Sequence, residues 1–104
     1  MGHKFFRLKL KNKEVIKPFG VTVQTVKGLH SWFVTVHTST KNRKCDICGQ
    51  LSIEKGDWYI RSHTPRFEMT GKPATERMCR SCARTYLPMR HIELEVFEKR
   101  KLHA

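Results

Sequence analysis

The residues best placed for chemistry are four cysteines in two matched pairs. Cys45-Asp46-Ile47-Cys48 is followed, thirty residues on, by Cys79-Arg80-Ser81-Cys82, and no cysteine is left over. In each pair the two sulfurs can face a common centre with little chain to order. Two pairs complete a tetrahedral shell of soft ligands, which suits Zn²⁺ and excludes hard cations such as Mg²⁺. Four thiolates leave no position for water, so the expectation is one structural Zn²⁺ held by Cys45, Cys48, Cys79 and Cys82. An iron–sulfur centre uses the same ligands and stays open at this level. A disulfide framework needs an oxidising compartment, and a thioredoxin-like redox site needs a single pair in a βαβ setting. Gly49, directly after the first pair, lets the chain turn back and aim amide N–H groups at the sulfurs. The basic neighbours Arg43, Lys44, Arg77 and Arg80 favour the thiolate form.

Other reactive residue types are scattered. The six histidines (3, 30, 37, 63, 91 and 103) form no H-x₃₋₅-H pair. His63 alone does not make a hydrolytic site, and the segment after Cys82 offers Ala83-Arg84-Thr85-Tyr86 without a further ligand. A metal-dependent nuclease is therefore the least favoured reading. The six glycines build no phosphate loop.

Charge is the second strong feature. The 104 residues carry 21 Lys and Arg against nine Asp and Glu, a formal net charge of +12. Residues 1–44 hold ten of these basic residues and one acid, Glu14. Such lopsidedness attracts polyanions. The candidate nucleic-acid contacts are Lys9, Lys11, Lys13, Lys17, Lys41, Arg43, Lys44, Arg61, Arg66, Arg80 and Arg84. A solvated basic face that only confers solubility is the plainer alternative. Trp58, Tyr59 and Phe67 interleave with Arg61 and Arg66, a pattern that can stack bases. Trp32 and Trp58 are nonetheless expected in the core, where a small domain needs its large rings. With 38% hydrophobic residues the chain is too apolar for a disordered basic tail. The start, MGHKFFRLKLKNK, lacks the apolar stretch of a signal peptide, and no run is long enough to span a membrane. An intracellular protein (cytoplasm, nucleoid or nucleus) with no membrane partner and no small-molecule substrate is expected.

The elements that must position these residues follow from periodicity. Phe6, Leu8 and Leu10 alternate with Arg7, Lys9 and Lys11, the pattern of a half-buried strand. Val21–Val26 is β-branched, Lys27-Gly28 turns the chain, and Ser31–Thr38 returns. Residues 5–38 thus read as one antiparallel meander. Asp57–Ser62 reads as a strand, residues 63–76 as an exposed loop, and Cys79–Leu87 as a short helix stopped by Pro88. On that helix Arg80 and Arg84 are i, i+4 neighbours and would form a row, which Arg77 joins if the turn extends back, with Ala83, Tyr86 and Leu87 toward the core. Ile92–Phe97 alternates as a strand, although Glu95 and Lys99 also suit a helix. As a strand it would set Glu93 and Glu95 against Arg7, Lys9 and Lys11 and bring the two ends of the chain together.

Cys45-x-x-Cys48-Gly49, then Ile53 and Gly56-Asp57-x-Tyr59, then Cys79-x-x-Cys82 opening a helix, resembles a treble-clef zinc finger, with a zinc-ribbon arrangement as the variant. The resemblance covers residues 44–87, under half of the chain, and speaks to metal and local fold rather than to function. It implies a knuckle bearing the first pair, a hairpin, and a second pair at a helix N-terminus. The expected fold class is small α+β: an antiparallel β-meander plus a treble-clef-like four-cysteine zinc module with one short helix. One compact domain over residues 1–104 is expected, comprising a basic meander (1–41), the cysteine module (42–91) and a C-terminal strand and tail (92–104). The expected function is a non-enzymatic, zinc-stabilised nucleic-acid-binding factor, acting on DNA or RNA in transcription or translation or as a viral accessory protein. A module docking on an acidic protein surface is the alternative.

Overall fold

The computed structural model describes residues 3–26, 32–64 and 74–99. They form seven strands and one helix: β1 (His3–Lys9), β2 (Glu14–Pro18), β3 (Val23–Val26), β4 (Trp32–Thr38), β5 (Trp58–Thr64), β6 (Ala74–Met78), α1 (Arg80–Met89) and β7 (Glu93–Lys99). All pairings are antiparallel, in a three-stranded sheet β2-β1-β7 and a four-stranded sheet β3-β4-β5-β6.

The single meander expected over residues 5–38 is divided between these two sheets. The physical reason lies at Pro18-Phe19-Gly20. Pro18 has no N–H to extend a ladder, and Gly20 turns the chain at φ 88°. The Gly20 amide then donates to the Val36 carbonyl at 2.9 Å, passing the chain to the second sheet. The free edge of β1 is taken by β7. That pairing follows the expected charge pattern: Arg7 faces Glu95 and Lys9 faces Glu93. Arg7 reaches Glu95 at 3.3 Å and Glu14 at 3.0 Å. These half-exposed pairs contribute less than about 1 kcal/mol each, so they set register more than stability.

Between the sheets, the alternating apolar positions meet. Phe6 and Leu8 from β1, Val34 and Val36 from β4, and Ile60 from β5 are wholly buried in one cluster. Ala83 and Leu87 from α1 and Ile92 after it complete that cluster, with Trp58 partly buried at its edge. Trp32 is buried as expected, and the Arg90 guanidinium lies 4.5 Å from its ring centre. Tyr86, expected to face the core, is 42% exposed, because only Ala83 and Leu87 point inward.

Two boundaries differ from expectation. The helix runs through Pro88 into Met89 rather than stopping before it. Pro88 offers no N–H to the Arg84 carbonyl one turn back and crowds it, but it stands in the last turn on the exposed side. The helix closes instead at His91, which adopts φ 60°. There the His91 amide donates to Pro88 at 3.0 Å and the Ile92 amide to Leu87 at 3.0 Å. This is a Schellman closure with buried Ile92 against buried Leu87. The other difference is the expected loop over 63–76: His63 and Thr64 extend β5, and residues 74–76 open β6 and pair with it. The turn at Lys27-Gly28, together with Arg66 and Phe67, lies outside the described residues. No described helix is long and apolar enough to cross a membrane.

Candidate metal centre

The first cysteine pair sits on a tight turn clasped by an antiparallel bridge between Arg43 and Ile53. Inside it, the Gly49 amide donates to the Cys45 carbonyl at 2.9 Å, and the Cys45 amide to the Gln50 carbonyl at 2.8 Å. Gly49 makes the reversal with φ 72°, a conformation that costs a residue with a Cβ about 1–2 kcal/mol. The second pair lies at the start of α1. Cys79 is the N-cap residue, with extended φ and ψ, and Cys82 sits in the first turn. The 34-residue separation between Cys45 and Cys79 is therefore closed by β5, β6 and the helix start.

The knuckle is locked onto the end of β6. The Asp46 amide donates to the Arg77 carbonyl at 2.9 Å, while the Arg77 amide donates to Asp46 Oδ2 at 2.7 Å. This reciprocal pair brings all four sulfurs within 4.8 Å of one another. A tetrahedral shell with Zn–S bonds near 2.3 Å places its sulfurs about 3.8 Å apart, so the four positions fit one Zn²⁺. Among the described residues this is the one cluster of three or more His, Cys, Asp or Glu with its ligand atoms gathered this closely.

The surroundings suit thiolates. The Ile47 and Cys79 amides point at Cys45 Sγ at 3.4 and 3.3 Å. The Ser52 hydroxyl lies 3.3 Å from Cys48 Sγ. That contact, helped by the Gln50 amide, draws the Cys48 thiol down to about 6. Burial opposes ionisation of Cys79, but hydrogen bonds from Ser52 and Cys82 bring it below its ordinary value. Cys82 moves the other way, pushed up by burial and by its sulfur neighbours. Thiolates crowded together need a cation among them to ionise fully. A Zn²⁺ would supply that charge and join Ile53 and Tyr59, which pack with buried Cys45 and Cys79, to both halves of the module.

The candidate nucleic-acid contacts are dispersed. Lys9 lies in register between Glu14 and Glu93. Lys11 and Lys13 are exposed in the β1–β2 connection, and Lys17 is exposed on β2. Lys41, Arg43 and Lys44 lead into the knuckle. Arg80 is 3.7 Å from Asp57, and Arg84 lines a groove that Glu93 and Glu95 also line. Arg80 and Arg84 lie four residues apart on α1 as expected, but Arg77 does not join them, because it belongs to β6. There Arg77 faces Arg61 directly across the β5–β6 ladder. Among the described residues no carboxylate comes within ion-pair distance of either guanidinium.

Sequence reasoning missed Ser52, Asp46 and the Arg61–Arg77 juxtaposition. Ser52, four residues beyond Cys48, could have been found by spacing. The partner of Asp46 lies 31 residues away and leaves no local signal. Comparison of the chain with protein-family models, with curated proteins and with solved structures found no match.

Proposed function

We propose that this chain is a non-enzymatic, zinc-stapled nucleic-acid-binding protein, with the cysteine module arranged as a treble clef. The order knuckle, β5–β6 hairpin, then helix with the second pair at its start supports the treble-clef reading over a ribbon. The observation that carries binding is Arg61 set against Arg77. Like charges directly opposite on a sheet repel, and a phosphate backbone is the ligand that turns this pair into an attraction. Much of the described acidity lies elsewhere: Glu14 and Glu95 engage Arg7 on the three-stranded sheet, and Asp57 lies beside Arg80. Contacts of this kind are mainly to phosphate, so sequence selectivity is modest.

A salt series tests this. Labelled duplex DNA, single-stranded DNA and RNA are each titrated with the protein as salt is raised. Binding that persists near 0.15 M salt is expected, with log affinity falling linearly against log salt. The slope should correspond to several neutralised phosphates, about −0.7 to −0.9 for each. Loss of binding to all three by roughly 0.15 M, where charges are screened beyond about 8 Å, would overturn the reading. The surface would then dock on an acidic protein. Leu51 and Met89, 68% and 70% exposed, favour that second reading, because apolar side chains on a knuckle and a helix suit a protein partner.

A further inference from the structure

The four-stranded sheet has two unlike faces. Val23, Val34, Val36, Ile60 and Met78 point to the core. Strand alternation places Phe33, Thr35 and His37 of β4, Tyr59, Arg61 and His63 of β5, and Arg77 of β6 on the opposite face. None of these seven belongs to the main core cluster; Tyr59 packs with the cysteine module, Thr35 is buried, and Arg77, tied to Asp46 of the knuckle, has a buried Nε.

The arrangement on that face is ordered. Phe33 faces His63 in register, with ring centres 6.2 Å apart. Four residues along β4, His37 faces Tyr59 and stacks on it at 5.7 Å. The two ring pairs are thus separated by about 13 Å of strand. Between them lies the Thr35–Arg61 pair, and Arg77 stands beside Arg61 on the next strand. Phe33, His37 and His63 are half-buried and Arg61 is exposed, so the sequence across the face is ring pair, arginines, ring pair.

We propose that this face is a stacking platform for a single-stranded polynucleotide. The inference rests on the nucleic-acid reading above and names its site and ligand class. Unpaired bases offer flat π-faces to Phe33, His37 and His63, and the phosphates between them meet Arg61 and Arg77. Base-paired nucleic acid hides those π-faces within its stack. An acidic protein segment would satisfy the arginines, whereas a single strand alternates flat bases and phosphates as this face alternates ring pairs and arginines.

The test is fluorescence anisotropy at about 0.15 M salt with oligouridylate, oligothymidylate and a duplex, each about 12 nucleotides long, a length within the span of known single-strand sites. Poly-glutamate is the competitor. Wild-type protein should bind the single strands more tightly than the duplex, and poly-glutamate should compete poorly. Phe33→Ala should weaken single-strand binding about 5- to 100-fold with the salt slope kept. Arg61→Ala should reduce the slope by about 0.7. Ile16→Ala, exposed on β2 of the three-stranded sheet, should leave single-strand affinity unchanged.

Phe33→Leu guards against misfolding, since it keeps apolar bulk without a π-face and should lose affinity as the alanine variant does. Oligonucleotide-induced shifts of the His37 and His63 ring resonances give a readout in the unaltered protein. Equal or tighter duplex binding, full affinity in both Phe33 variants, or unmoved histidine resonances would overturn the platform while leaving the nucleic-acid reading standing. Failure of every polynucleotide to bind would overturn both.

Discussion

Chelation of the metal at neutral pH should unfold the cysteine module and the four-stranded sheet it closes. Cys45 and Cys79 are 0% and 2% exposed, and Ile53 and Tyr59 pack on them. Tyr59 lies on β5, and β6 runs directly into Cys79, so loss of the ion loosens two of the four strands at their shared end. The magnitude decides the outcome. Binding of a structural zinc contributes about 10–16 kcal/mol in zinc-finger peptides, while a domain's whole stability is about 5–15 kcal/mol. Far-ultraviolet circular dichroism should therefore lose most of its strand signal, and restoring Zn²⁺ should recover it. Cys79→Ser should act in the same direction without a chelator. Identical melting curves before and after complete metal removal would show that the apolar core alone holds the fold.

The second large effect is expected at Phe6. Its side chain is fully buried between the sheets, and its ring lies 6.5 Å from that of Phe19. Phe6→Ala should cost about 3–5 kcal/mol, from lost burial and the cavity left behind. At about 4–8 °C per kcal/mol for a domain of this size, the midpoint should fall by about 12–40 °C. Ile16→Ala on β2, 49% exposed, should change stability by no more than about 0.5 kcal/mol. Urea denaturation of the zinc-loaded variants measures both. A Phe6→Ala cost below about 1 kcal/mol would mean that the two sheets do not share a core.

Features written in local spacing were legible. The two C-x-x-C pairs named the four sulfurs that the fold gathers. Gly49 announced a left-handed turn, and Phe6 and Leu8 announced the buried face of β1. The β1–β7 pairing was legible because Arg7 and Glu95 carry complementary charges in strands with the same alternation. What was not legible depends on partners distant in sequence. The division into two sheets turns on which strand reaches the free edge of β1, and periodicity within residues 5–38 does not contain β7. Strand β6 is short and reads Ala-Thr-Glu-Arg-Met, with one large apolar residue, so its identity comes from the ladder with β5. Arg77, three residues before Arg80, would join the helical row only if the first turn extended back. A strand ending at Met78 sends it to the sheet instead.

A metal held by the four cysteines would join the fold to the function proposed for it, so metal content is the most direct measurement. Native mass spectrometry of the full chain, purified without added metal, should show the mass of the polypeptide plus one zinc. Under denaturing conditions the ion should be lost and all four cysteines become reactive toward a thiol reagent. A native mass equal to the bare polypeptide, with four freely reactive thiols in the folded protein, would contradict the account.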